Sequence, residues 1–337
     1  TADGEIDPAV APLVSLDTRV KTTAAAGFGE ANVDISDRLH VIAGMRYSWE
    51  KQEGLGSPAA GILPPRAYPN GGKASASAWT PRVSVRYDIS SEANVYATYS
   101  KGFKSVVVDS VQSSDATADP EHLTAYEIGA KIGTRNLSLN LAAFLYDYKD
   151  LQVLFFDGVT STLTNAASAK IIGLEADANI RLHQGLSLKL AGSWLPRARY
   201  EQFPGGEAFA LPNGPGGMQR VSIDASGQRL LRAPRFTGST TLSYAGDVGT
   251  GRLDANATLY YSSSFDWDLL RRVQTKSYAQ INATIGYRPS SLGVRFYIFG
   301  KNLTNKANIS GALLTAGADG VSYSAPRLIG VGAEISF

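Results

Sequence analysis

Residues 325–337 read APRLIGVGAEISF. Ile329, Val331, Ala333, Ile335 and Phe337 fall on one side of a two-residue period, with Gly330, Gly332, Glu334 and Ser336 on the other. That spacing is the mark of a strand with one apolar face. The apolar series runs through the last residue, so the end of the chain is expected to be held in place and not frayed.

The same alternation recurs upstream. In WTPRVSVRYD, Trp79, Val83, Val85 and Tyr87 share one face and Thr80, Arg82, Ser84, Arg86 and Asp88 the other. AYEIGAKI sets Tyr126, Ile128, Ala130 and Ile132 against Glu127, Gly129 and Lys131. IIGLEADANIRL sets Ile172, Leu174, Ala176, Ala178, Ile180 and Leu182 against Gly173, Glu175, Asp177, Asn179 and Arg181. Arg295 and Lys301 belong to the polar side of LGVRFYIFGK. At this stage a sandwich with a thin core and a barrel with a polar lumen account equally well for the pattern.

Composition narrows the classes. The 337 residues show no composition shift or linker, so they read as one domain. Hydrophobic residues make up 44% and charged ones 18%, a low charge for a water-soluble chain. No run approaches the ~18 apolar residues of a transmembrane helix, but transmembrane barrel strands hide their apolarity in alternation. A net charge of +2 gives nucleic-acid binding no electrostatic support. Without cysteine there are no disulfides, no thiolate catalysis and no cysteine metal sites. The opening TADGEIDPAVAPL lacks the features of a signal peptide, so the chain is read as mature, trimmed or partial.

Connection lengths separate sandwich from barrel. Strands are expected over 21–35, 39–52, 76–89, 93–103, 122–134, 136–157, 161–182, 186–203, 235–246, 251–264, 276–288, 292–303 and 325–337. Short links (SDR, SSE, TRN, HQG, GDVGT, RPSS) alternate with long or middling ones, notably 54–75, 104–121, 204–234 and 304–324. Short turns at one rim and long loops at the other mark an outer-membrane barrel. A strand of about 13 residues tilted by about 40° rises some ~33 Å, enough to cross a bilayer core. Tyr47, Trp49, Tyr87, Tyr99, Tyr244, Tyr260, Tyr261 and Tyr287, near strand ends, are expected to form interfacial girdles. Bacterial single-chain barrels have an even number of strands. About thirteen therefore leaves at least one missing at the front, and residues 1–20 read as the remnant of an extracellular loop before a barrel portion over 21–337.

An ordered series of segments resembles the C-terminal part of the barrel of TonB-dependent outer-membrane receptors. GFGEANVDISDRLHVIAGMRYSWE, NVYATYSKGFK, LTAYEIGAKIGTRNLSLNLAAFLYDYKDLQV, TNAASAKIIGLEADANIRL, FGKNLTNKA and the terminal Phe337 follow in that family's order. KGFKSVVVDSVQ departs from it where many relatives carry glycines, so loop 104–121 is expected to be specialised. The resemblance implies an all-β, antiparallel transmembrane barrel in which this chain supplies about 13 of 22 strands, the N-terminal plug lying outside it. Two open edges in lipid are not tolerated, so the remaining strands and plug are expected as a separate chain or fragment paired to this one. It also implies a bacterial outer-membrane location, contact with lipid bilayer and lipopolysaccharide, and coupling to TonB through the plug-bearing part. Phe337 resembles the barrel-assembly signal.

Candidate chemistry is sparse. His40, His122 and His183 have no zinc spacing. Glu127, Glu175 and Asp177 share a face and form a conceivable acid/base set. With Arg82, Arg86, Lys131, Arg295 and Lys301 beside them they read better as a charge ladder that solvates the lumen and docks a plug. PGGEAFALPNGPGGMQ lacks the Lys-Ser/Thr ending of a phosphate loop and is assigned to an extracellular loop. FDWDLLRRVQTK offers Trp267, Arg271 and Arg272 to an anionic, aromatic ligand or, equally, to lipopolysaccharide phosphates. No catalytic residue, metal site or cofactor is expected. The expected function is active uptake of a scarce solute, a ferric siderophore by resemblance. The alternatives are a saccharide, aromatic compound or vitamin on the same fold, or a self-contained pore or fatty-acid channel of about 14 strands.

Overall fold

A computed structural model describes residues 14–15, 18–56, 60–61, 72–108, 117–156, 161–212 and 217–335. Phe337 and, of residues 1–20, 1–13 and 16–17 lie outside them. Thirteen long strands form a single antiparallel sheet in which sequence neighbours pair throughout. We label them β1 (Thr18–Asp34), β2 (Leu39–Gly56), β3 (Lys73–Ser90), β4 (Ala93–Lys104), β5 (Glu121–Gly133), β6 (Leu137–Phe156) and β7 (Ser161–His183). The remainder are β8 (Leu186–Gln202), β9 (Phe236–Val248), β10 (Gly251–Ser262), β11 (Tyr278–Pro289), β12 (Val294–Lys301) and β13 (Leu328–Ile335). Among the described residues β1 pairs only with β2 and β13 only with β12, so the sheet has two edges. Among the described residues no helix is long and apolar enough to cross a membrane, which says nothing of strands.

Register converts the alternation into two continuous faces. Val33, Val41, Val85, Ala97, Ile128, Ala143, Leu174, Trp194 and Phe236 follow one another as direct partners from β1 to β9. From β8 to β13 the row Leu186, Tyr244, Ala255, Ile285, Ile298 and Val331 continues in the same manner. These side chains stand open: Ile128 is 63% exposed and Val331 78%. A belt of exposed aliphatic residues across thirteen strands exceeds any patch a water-soluble monomer tolerates; it is the outward band of a transmembrane barrel wall.

The aromatic residues sort by the same register. Tyr47 stacks on Trp79 and Tyr99 on Tyr126, with ring centroids 4.8 and 5.3 Å apart, on the apolar face. Tyr260 is an exception to the girdle expectation. Its partners Ser239 and Gln280 place it on the polar face, where it stacks on Tyr278, because Leu259 and Tyr261 occupy the outward positions of β10.

On the polar face several rings lie across glycines of the neighbouring strand. Tyr96 pairs with Gly129, Phe144 with Gly173, Phe299 with Gly330 and Tyr297 with Gly332. A Cβ on Gly129 would stand 2.5 Å from the Tyr96 ring, so the glycine is the seat of the aromatic.

Apart from the sheet, the long-loop rim carries short two-stranded ribbons: Val107–Val108 with Thr117–Ala118, Gly206–Ala210 with Gln219–Ile223, Phe265–Asp266 with Gln274–Thr275, and Ile309–Leu314 with Asp319–Tyr323. Another knot closes the last hairpin. Asn302, 2% exposed and at φ +48°, donates through Nδ2 to the carbonyls of Lys306 (3.0 Å) and Ala325 (2.9 Å), while its backbone N–H donates to Asn282 Oδ1. The loop from β12 to β13 is thereby tied at its base.

Candidate functional site

Two regions concentrate polar chemistry: the polar face of the sheet and the cap of loops at the long-loop rim. On the polar face, Arg82, Arg86, Glu127 and Lys131 line one hollow of about 580 Å³ with His40, Tyr96 and neighbours. β3, β4 and β5 bring them together by direct pairing. Tyr96 Oη donates to Glu127 Oε1 at 2.7 Å, and Lys131 Nζ stands 5.4 Å from the Tyr96 ring centroid. Arg86 pairs with Asp88 at 3.0 Å, and His40 sits between Asp34 and Asp88.

The other residues of the ladder are distributed along the same face. Glu175 stands opposite Ala142 and Ser193. Asp177 accepts from Asn140 Nδ2 at 2.9 Å. Arg295 forks onto Asp254 (2.8 and 2.5 Å) and reaches Glu334 at 3.4 Å. Lys301 Nζ lies 6.0 Å from the Phe299 ring centroid. Arg86 and Arg295 are thus ion-paired and Glu127 and Asp177 accept from neutral donors, while the hollow gathers four of the eight ladder residues and the other four are spread along the face. Glu127 and Asp177 are occupied as hydrogen-bond acceptors, which fits a docking wall better than acid/base chemistry. Among the described residues no group of three His, Asp or Glu suits a metal ion.

The loop cap has its own hydrophobic core. Phe203 (2% exposed), Ala208, Ala225 and Leu269 pack with Ala167 of β7, and Leu151, Val153, Tyr200, Val221, Ile223, Leu231 and Leu270 surround them. Apolar residues of the 203–235 and 263–277 loops therefore bury one another as in an ordinary small domain. Asp224 accepts from the hydroxyl and the backbone N–H of Ser226, which holds its carboxyl below the usual carboxylate range and fixes the turn at the end of the ribbon.

Within this cap the three loop residues singled out by sequence have different surroundings. Trp267 Nε1 donates to Thr275 Oγ1 at 2.8 Å, and its ring stacks on Phe265 and lies under Arg232. Arg272 is largely buried, forks onto Asp319 at 2.8 and 3.1 Å, and approaches Asp268 at 3.7 Å. It fastens the 263–277 loop to the ribbon after β12. Arg271, with 68% of its side chain exposed and φ at +58°, pairs with Asp266 at 3.0 Å. A left-handed arginine is a conformation glycine adopts more cheaply, and such residues cluster at functional sites.

Arg271 lines a pocket of about 540 Å³ with Arg199, Arg229 and Arg235. Those three arginines carry no obvious sequence signal beyond the density of basic residues in LPRARY and GQRLLRAPRF. The pocket exists because residues 226–235 run back alongside β8: Arg199 bridges Arg229, Tyr200 N–H donates to the Gln228 carbonyl, and Leu195 N–H donates to that of Arg235.

The family model described as "TonB dependent receptor-like, beta-barrel" matches residues 2–303. Among curated proteins, the pesticin receptor of Yersinia pestis is 20% identical over 324 residues, covering 95% of this chain and 44% of that one. Among solved structures, the ferric yersiniabactin uptake receptor of Yersinia pestis superposes with a TM-score of 0.81 at 18% identity, over 97% of this chain and 47% of that chain. A siderophore receptor of Acinetobacter baumannii gives 0.72 at 17% identity, over 94% and 43%. The chain thus spans about half the length of the relatives it matches.

Proposed function

Because this chain belongs to the TonB-dependent receptor β-barrel family, we propose that it is part of the wall and outer vestibule of a receptor that takes up a scarce solute, with a ferric siderophore as the solute class. Barrels of this family are bacterial outer-membrane proteins. The carrying observation is the thirteen-strand sheet with an exposed apolar belt on one face and polar and charged side chains of both signs on the other, its long connections all at one rim. The siderophore assignment draws on the functions of the similar receptors named above.

In this reading the outer loops capture the solute. The polar face, with Arg82, Arg86, Glu127, Lys131, Glu175, Asp177, Arg295 and Lys301, holds a plug contributed from outside this stretch of chain, and force delivered by TonB through the plug opens the path. β1 and β13 pair with the strands that complete the barrel. The barrel portion begins with β1 at Thr18, three residues before the expected boundary at 21, and Phe337 acts as the assembly signal. Trp267 and Arg272 act as struts that shape the cap, and Arg271 keeps a guanidinium edge free. The wall makes and breaks no covalent bond.

Uptake of labelled iron presented on a panel of siderophores, by cells with and without the whole gene, tests the proposal. Loss of uptake for one siderophore class is the expected result. Unchanged iron uptake together with loss of growth on a saccharide, aromatic compound or vitamin would reassign the solute. Ion conductance by the isolated chain in planar bilayers would favour a self-contained pore instead.

A further inference from the structure

The connection between β4 and β5 starts in KGFKSVVVDSVQ, where the sequence departs from the family pattern. The base of that connection folds inward. Val107–Val108 pairs with Thr117–Ala118 as a ribbon, and Val108 N–H donates to Gln52 Oε1 at 3.1 Å. Gln52 lies on the polar face of β2 with His40 and Arg46, since Val41, Tyr47 and Trp49 alternate onto the apolar one. One strand of the ribbon packs against β2 and β3, the other against β7. Along the sheet β2 and β7 are five strand spacings apart, or about 24 Å. A ribbon two strands wide touches both only by crossing the concave side of the wall, as a chord inside the arc. Val106, Val108 and Ala118 are 4%, 3% and 0% exposed, so the crossing is closely packed.

Amide side chains fasten the chord at both ends. At β2 the tie is the bond from Val108 to Gln52. At the other end Gln152 Nε2 donates to the carbonyls of Ser105 and Asp119, both at 2.8 Å. Asn165 exchanges two bonds with Asp119, accepting its N–H at 2.7 Å and donating to its carbonyl at 2.8 Å. A two-stranded ribbon is marginal by itself, so these side chains supply what its own pairing lacks. Gln152 Oε1 and Ser105 Oγ are buried with no hydrogen-bond partner among the described residues, which weakens the seat at that end. The ribbon's position is therefore sensitive to each amide. A layer laid on a sheet stands about 10 Å from it. The chord takes that depth from the passage on the side of β2 to β7, above the hollow lined by Arg82, Arg86, Glu127 and Lys131.

We propose that this ribbon limits the bulk of the solute the wall admits, and that Gln52, Gln152 and Asn165 are the positioning residues that hold it in the passage. The inference deepens the uptake reading given above and rests on it. It places the limit within this stretch of chain, on the outer side of the polar hollow, and gives the departure of KGFKSVVVDSVQ from its relatives a physical role: two valines on the ribbon's first strand and one before it bury it against the wall.

The test uses cells that carry the whole gene, as wild type, Gln152→Glu or Asn165→Ala, and the full-length receptors purified from them. Gln152→Glu keeps the size of the side chain but sets a carboxylate against two carbonyls that need a donor. Hydrogen exchange read by mass spectrometry follows the ribbon: the amides of Val108 and Asp119 should lose protection about tenfold in either variant while those of β5 keep theirs. Uptake of labelled iron is then compared for ferrioxamine B, ferric enterobactin and ferric pyoverdine, each with and without a polyethylene glycol tail. For any complex it carries, wild type should prefer the untailed form about tenfold, and the variants should cut that preference to about twofold. The ratio does not depend on how much receptor is folded. Should Gln152→Glu misfold, Asn165→Ala alone is read. Equal uptake of tailed and untailed forms by wild type would overturn the size limit, as would an unchanged preference in variants whose ribbon amides have opened. Retained protection in both variants would overturn the assignment of the positioning residues. A wild type that takes up iron from no member of the panel would instead overturn the uptake reading on which the proposal rests.

Discussion

Ile128 on β5 and Leu211 in the loop cap are equally open, at 63% and 64% exposure, and they mean opposite things. Ile128 belongs to a belt that runs from strand to strand in strict register, with no covering layer. Leu211 follows the ribbon Gly206–Ala210, whose neighbours Phe203, Ala208 and Phe209 are nearly inaccessible. The wall keeps its apolar side chains on the outside and its polar ones inside, while the cap keeps the order of a protein folded in water. One chain thus serves two solvents, and exposure has to be read against which of them a residue meets.

The comparison is sharpest where the cap is most like an ordinary core. Phe203→Ala should remove about 3–5 kcal/mol from the packing of the cap. Limited proteolysis should then nick the 203–235 loop while the heat-resistant gel mobility of the barrel persists; joint loss of both would mean that cap and wall are one cooperative unit. Ile128→Arg should cost about 2–4 kcal/mol in denaturant titrations from vesicles, against about ±0.5 for Leu211→Arg. Equal effects would break the assignment of two solvents. Gly129→Ala should cost about 1–3 kcal/mol by displacing the Tyr96 ring, whereas Gly133→Ala, with nothing within 4 Å, should be close to silent.

The smallest effect concerns acidity in the cap. The folded carboxyl of Asp224 titrates below its unfolded value, so the turn it holds is fully stabilised above that unfolded value and loosens as pH falls through the folded one. Amide exchange at Ser226 should accelerate on that acidification, and Asp224→Asn should flatten the profile.

Much of the wall was legible because a period of two survives in the sequence whichever solvent lies outside. The expectation of a strand over 186–203 meets Leu186–Gln202, and that of 251–264 meets Gly251–Ser262. The last strand begins later than expected, at Leu328 and not at 325, because the Ala325 carbonyl is taken by Asn302. Tyr260 lies on the polar face and not in the girdle expected of it, because Leu259 and Tyr261 hold the outward positions and only the register shows which neighbour faces out. Ribbons inside the loops, such as Ile309–Leu314 with Asp319–Tyr323, were not visible, since short glycine-rich strands carry little alternation.

The cap was less legible, for reasons the arginines make plain. Arg271 and Arg272 are adjacent in sequence, yet one reaches the surface at a left-handed φ and the other is spent on Asp319, 47 positions away. Arg199, Arg229 and Arg235 meet only because a loop doubles back beside β8. Long-range pairing of that kind leaves no local periodicity to read.

The knot at Asn302 bears on the rate at which the wall can be built. Bringing Ala325 to the end of β12 closes a loop of more than twenty residues, whose entropy is otherwise lost when the strands meet. Side-chain bonds from one buried asparagine bring the two ends together near the rim, so β12 and β13 can nucleate as a local hairpin before any distant strand arrives. A hairpin that forms alone shortens the time during which an unpaired apolar edge is open to aggregation. In kinetic terms, Asn302 ties the base of a long-loop hairpin whose closure costs more than that of the short-turn hairpins elsewhere in the wall, such as β9 with β10.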